Sequence, residues 1–179
     1  MQLNSTPTRR LTAAALCVAL GVLLPQLFHA IPNFGIVFSP MHLPVLACGL
    51  ICGWKYGLLC GLLTPALSSA LTGMPSAMIL PGMICELVVY GLVCGLLFFR
   101  AKTGKRLADI YLALVPAMLL GRLFAGLMNG LFFRAGDFTL QMFLTGYFVT
   151  SLPGILIQLV LIPILILALE KVKVIQYAG

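Results

Sequence analysis

Apolar runs of bilayer-spanning length recur along this chain, at 11–28, 36–53, 56–73, 77–99, 110–133 and 145–169. A helix crosses a hydrocarbon layer of ~30 Å in roughly 20 residues. Inside that layer the backbone must satisfy its own hydrogen bonds, which selects helices for runs of this kind. Turn signals separate the runs: "HAIPNFG", "GWKYG", "TGMPS", "RAKTGKR" and "RAGDF". The reading is an all-α membrane protein, a single domain over 1–179 built as a compact bundle of six transmembrane helices. The second and third runs are short and broken by Pro or Gly, so one of them is expected to be tilted or partly unwound. Composition agrees: with 61% hydrophobic and 8% charged residues in 179, a soluble domain could not bury the apolar surface.

The N-terminal stretch "MQLNSTPTRRLTAAALCVALGVLLPQLF" has a basic start followed by an apolar run, like a signal peptide. The run from Leu11 to Phe28 is long for that purpose, and no small-x-small cleavage pattern follows. A retained first helix is expected.

The formal charge of +7 invites a nucleic-acid partner, but topology accounts for it. With both termini cytoplasmic, Arg9, Arg10, Lys55, Arg100, Lys102, Lys105, Arg106, Lys171 and Lys173 all fall on the inner side. That is nine of the eleven cations, a strong positive-inside bias. Arg134 falls outside, and Arg122 lies within a span. No nucleic acid is expected as a partner; the partner is the bilayer of a cell membrane, crossed several times.

The six cysteines all sit in apolar runs, form no Cys-x-x-Cys pair, and are read as small buried hydrophobes. His29 and His42 are not spaced to complete a zinc site, and no metal or cofactor is expected. Four runs contain Gly-x-x-x-Gly, at 49–53, 57–61, 91–95 and 126–130. Such spacing leaves a flat helix face that another helix can approach closely.

Two charges interrupt this apolar pattern: Glu86 near the middle of the fourth run and Arg122 near the middle of the fifth. Each costs roughly 2.5–3.5 kcal/mol at mid-membrane on insertion scales. The two runs are antiparallel neighbours, so the side chains meet at similar depth. They either form an ion pair that fixes helix packing or line a polar cavity that takes a ligand. Their neighbours favour the cavity. Tyr90 is one turn from Glu86, Asn129 is two turns from Arg122, and Tyr147, Ser151, Gly154 and Gln158 share a face of the last run. Asn129, Tyr147 and Ser151 fall in the outer half of the membrane, so a site loaded from outside is expected. His42 stands between Pro40 and Pro44 at the outer end of the second run, where a regular helix is disfavoured. It is read first as structural and second as a ligand contact.

No His-Glu-x-x-His, acidic metal cluster, phosphate-binding Gly-rich loop or Ser/His/Asp set is present in the sequence. The chain is therefore not expected to be an enzyme or to hydrolyse ATP itself. A binding or transport role remains.

Three stretches resemble one family, and the resemblance runs over essentially the whole chain. They are "RRLTAAALCVAL", with the Ala15-x-x-x-Ala19 small-residue pattern, "FSPMHLPVLACGLICGWKYGLLCGLLTPALSSALTGMP", and "ELVVYGLVCGLL". The chain resembles the substrate-binding S component of an energy-coupling factor (ECF) vitamin transporter. The resemblance implies a bacterial plasma-membrane protein that binds a scarce vitamin with high affinity at its outer face. It further implies docking, through Ala15 and Ala19, on a transmembrane coupling subunit driven in trans by two ATP-hydrolysing subunits. The site expected from the residues themselves draws on Glu86, Tyr90, Arg122, Asn129, Tyr147, Ser151, Gln158 and His42. Arg122 could take a carboxylate, which makes pantothenate the first expectation. If Glu86 already neutralises it, a pyridoxine or thiamine-type ligand fits as well; riboflavin has less support, since Trp54 is the single tryptophan. The competing readings are a self-contained small transporter or channel, which would favour an internal repeat that is not evident here, and a structural membrane protein. A closed cavity beside Arg122, Asn129 and Tyr147 would favour binding, a through-pore a channel, and a cavity-free bundle a structural role.

Overall fold

The computed structural model describes residues 7–28, 37–101, 103–133 and 139–172. Among these the chain is all-helical. Helix α1 runs Pro7–Leu27, α2 His42–Cys52, α3 Trp54–Thr72, α4 Leu80–Arg100 and α5 Arg106–Met128. Wider π-helical turns extend α5 through Asn129–Phe133. Helix α6 spans Leu140–Leu144, continues as π turns over Thr145–Thr150, and breaks at Ser151 before α7, Leu152–Lys171.

Several boundaries follow from local chemistry. Pro7 opens α1, and prolines stand in the first turn of α4 and α7, where a missing N–H costs nothing. Thr139 caps α6, its hydroxyl accepting from the Met142 N–H at 3.2 Å. At the start of α5, Asp109 is wholly buried and accepts from the Thr103 hydroxyl at 2.6 Å and its N–H at 3.0 Å.

Four helical stretches are long and apolar enough to cross a bilayer: Pro7–Leu27, Leu80–Arg100, Arg106–Phe133 and Leu152–Lys171. The second expected span, 36–53, is different. Its described helix has 11 residues, about 16 Å of rise, because Pro40 delays its start to His42. Residues 29–36 lie outside the described residues. The third helix has 19 residues, but Lys55, Thr64, Ser68 and Ser69 dilute its apolar character. The sixth expected span, 145–169, is not one helix but is split at Ser151. Lys102, Arg134 and Lys173 also lie outside the described residues.

Helix α2 is buried on nearly every side and forms the centre of the bundle, wrapped by α1, α3, α4 and α7. One residue, Gly53, turns it into α3. Its φ of 95° and ψ of 171° belong to a region that side chains rarely enter. The reversal brings Gly49, Gly57, Gly91 and Gly95 together. A Cβ on Gly49 would stand 2.8 Å from the Gly91 carbonyl oxygen, and one on Gly57 would strike the same atom. Three of the four Gly-x-x-x-Gly patterns thus form one seam joining α2, α3 and α4. The fourth differs: Gly126 accommodates the ring of Phe143. Leu46, Leu50, Leu87, Tyr90, Leu114 and Ile162 fill the core around the seam.

Helix α1 is peripheral. Ala14 and Gly21 face α2 and α3, whereas Leu11, Leu16, Leu20 and Leu23 point away from the bundle. At the opposite side, Arg106 at the start of α5 pairs with Glu170 near the end of α7 at 3.1 Å. The six cysteines are free thiols, with Cys48, Cys52, Cys60 and Cys94 buried.

Candidate functional site

Antiparallel packing of α4 on α5 puts Glu86 and Arg122 at one depth. Glu86 is 7% exposed and Arg122 2%, so neither charge reaches water. The Arg122 Nε lies 3.5 Å from Glu86 Oε1, and the phenol of Tyr90 joins them more closely. Arg122 Nε donates to the Tyr90 oxygen at 2.8 Å, and the Tyr90 O–H donates to Glu86 Oε1 at 2.7 Å. The small face of Gly121 makes room for the Tyr90 ring. A buried ion pair recovers its desolvation only with good geometry and further hydrogen bonds, and the phenol supplies two of them.

Other elements complete the shell. His42, in the first turn of α2, sets its Nε2 3.4 Å from Glu86 Oε1, and its ring meets that of Tyr90 edge-on at 5.4 Å between centroids. Arg122 Nη1 donates to the Tyr147 carbonyl at 2.7 Å, and the Ser151 hydroxyl donates to the same oxygen at 2.6 Å. Asn129 Nδ2 donates to the Tyr147 hydroxyl at 2.7 Å. Gln158 Nε2 lies 3.5 Å from the carbonyl of Ser39, which also accepts the His42 N–H at 3.1 Å.

The structure therefore unites all eight residues expected at the site in one continuous polar network. The π turns contribute: Asn129 opens the first such segment, and Tyr147 lies within the second. Wider turns of this kind are frequent at functional sites.

Three participants were not anticipated. Ser39 holds a φ of 47°, unusual for a residue with a side chain, and its carbonyl joins α2 to α7. The ring of Phe148 lies 5.9 Å from the Arg122 guanidinium carbon, and Phe143 packs against Tyr147 at 5.4 Å. The Ser39-Pro40 step was the only sequence sign of the first. Aromatics in an apolar run carry no signal that separates a cation partner from ordinary packing.

Two grooves open elsewhere, one along Gly104–Ala108 and Leu167 and one between α4 and α5 lined by Val89, Val93, Leu120, Leu123, Phe124 and Leu127. Neither groove is lined by Arg122, Asn129 or Tyr147. Two buried atoms within the cluster nevertheless lack a partner among the described residues, His42 Nδ1 and Gln158 Oε1.

The model of the family described as ECF transporter, substrate-specific component, matches residues 9–166. The chain belongs to this family. It is a substrate-specific (S) component, a membrane-embedded transport protein rather than a member of an enzyme family, and it works with membrane partner modules. Searches of curated proteins and of solved structures return no match. On α1 of this S component, Ala15 and Ala19 are exposed on the outward side, away from the polar cluster.

Proposed function

We propose that this S component binds a small water-soluble vitamin at the end of the bundle where Asn129 and Tyr147 meet, and delivers it through an ATP-driven coupling module. The carrying observation is the single buried network that joins α2, α4, α5 and the α6–α7 segment through Glu86, Tyr90 and Arg122. Packing alone does not require so many converging polar groups in apolar walls, whereas a specific ligand site does.

In this reading the chain crosses a bacterial plasma membrane six times with both termini cytoplasmic, in line with the distribution of its cations. The polar network then faces outward. Ala15 and Ala19 form the docking face for a transmembrane coupling subunit, driven by two ATP-hydrolysing subunits. Methyl-sized side chains on an exposed helix face suit close helix approach. Pantothenate, pyridoxine, thiamine-type compounds and riboflavin are the ligands to test.

Native mass spectrometry of the gently purified chain, followed by a thermal-shift screen of these vitamins, tests the proposal. A co-purified vitamin, or a saturable stabilisation by one, is expected. No response to any of them would overturn it.

One observation favours a structural role instead: Glu86, Tyr90, Arg122 and Gln158 are all buried. Arg122→Ala separates the two readings. Loss of ligand binding in a folded protein supports the site, and loss of the fold alone supports packing.

A further inference from the structure

Arg122 has the charge to seat a carboxylate, but in the structure that charge is already answered. Its Nε faces Tyr90 and Glu86, and its Nη1 serves the Tyr147 carbonyl. Glu86 and Arg122 cancel within the cluster. An anion placed there would add an uncompensated charge to a low-dielectric site beside a buried carboxylate, which is costly.

The two unpartnered atoms point to what the site takes. Gln158 is wholly buried, and its Nε2 faces the Ser39 carbonyl. A carbonyl only accepts, so the amide nitrogen must lie on that side and Oε1 is left as a free acceptor. His42 is 4% exposed, and its Nε2 faces the Glu86 carboxylate, which accepts. Its Nδ1 has no partner among the described residues, so this nitrogen is open to a polar group of a ligand. Both vacant positions belong to groups tied to Ser39 at the start of α2, and the one on Gln158 is an acceptor.

Resting on the vitamin-binding reading above, we infer that the ligand is an uncharged molecule. It offers a hydrogen-bond donor, alcohol, amide or ring N–H, to Gln158 Oε1 and a second polar group to His42 Nδ1, rather than a carboxylate to Arg122. The Glu86–Tyr90–Arg122 chain is then a neutral wall that orients the ligand. Leaving the Gln158 acceptor unpaired penalises ligands without a donor.

Matched pairs differing only in the charged group decide this. Pantothenol against pantothenate, pyridoxine against 4-pyridoxic acid, and nicotinamide against nicotinate are titrated calorimetrically into the full chain in detergent, with thiamine and riboflavin as further probes. The uncharged member of a responding pair is expected to bind about tenfold or more tightly than its acid, or riboflavin alone to bind. Equal binding, tighter binding of the acid, or a response confined to thiamine overturns the inference and leaves the vitamin-binding reading intact. Silence from every probe overturns that reading itself.

The variant Glu86→Gln adds a second readout by releasing the Arg122 charge. The acid-to-neutral affinity ratio is expected to shift about tenfold or more toward the acid. An unchanged ratio in a protein that still binds overturns the neutral-wall assignment.

Discussion

Two regions of this bundle are held together by different physics. Where α2, α3 and α4 meet, glycines bring backbone against backbone, and Gly57 and Gly91 leave no space even for a methyl group. Where α5 and the α6–α7 segment meet α4, side chains reach across to one another through Tyr90, Arg122, Tyr147 and Asn129. The glycine seam is non-polar, locally determined and unforgiving. The polar region is built from rotatable groups on helices with π turns, and its hydrogen bonds could be exchanged for bonds to a ligand. In the proposed reading the seam gives a rigid body to present to the partner, and the polar region an adaptable end to hold the cargo.

The most severe way to break the comparison is in the seam. Gly91→Leu drives a side chain into the Gly57 backbone, where no flexible neighbour can give way. The expected cost is about 3 kcal/mol or more, read as loss of the monodisperse folded species in detergent. A wild-type melting temperature would show that the seam is not rigid.

Arg122→Ala strikes the polar region. It strands Glu86 and removes the bond to Tyr147, so ligand affinity is expected to fall about 100-fold or more, while enough of the fold survives to be purified. Unchanged affinity would remove Arg122 from the site.

Ala15→Trp or Ala19→Trp leaves both regions untouched, since these positions face away from the bundle. Vesicle uptake with the complete transporter is expected to stop while ligand binding by the isolated chain stays within about twofold. Normal uptake by both variants would move the docking face elsewhere.

The smallest effect is expected of Tyr90→Phe, which keeps the ring in the core and deletes only the hydroxyl linking Arg122 to Glu86. A loss of about 1–2 kcal/mol in thermal or denaturant stability is expected. A much larger loss would mean that the ion pair depends on the phenol rather than on its own 3.5 Å approach.

Much of the polar cluster was legible because lipid makes polar residues conspicuous. Glu86, Tyr90, Arg122, Asn129, Tyr147, Ser151 and Gln158 are exceptions in apolar runs, and helical spacing alone put Tyr90 beside Glu86. His42 was read first as structural, yet it stands 3.4 Å from the Glu86 carboxylate. Sequence spacing could not reveal that approach, because it depends on where α2 starts. Ser39 was missed for the same reason: its contribution is a backbone carbonyl, and every residue has one.

The sequence by itself determined the solvent of this protein, its helical class, its family, and the set of polar residues with no place in a lipid-facing wall. Each of these follows from a local rule, since every segment must answer to hydrocarbon separately. Only the tertiary structure decided that α2 is a short buried central helix of 11 residues, and that three glycine patterns share one seam. It also decided that Arg122 reaches Glu86 through Tyr90, leaving Gln158 Oε1 and His42 Nδ1 without partners among the described residues. Those outcomes depend on the rotation and depth of one helix against another, which the hydropathy of either helix alone does not encode.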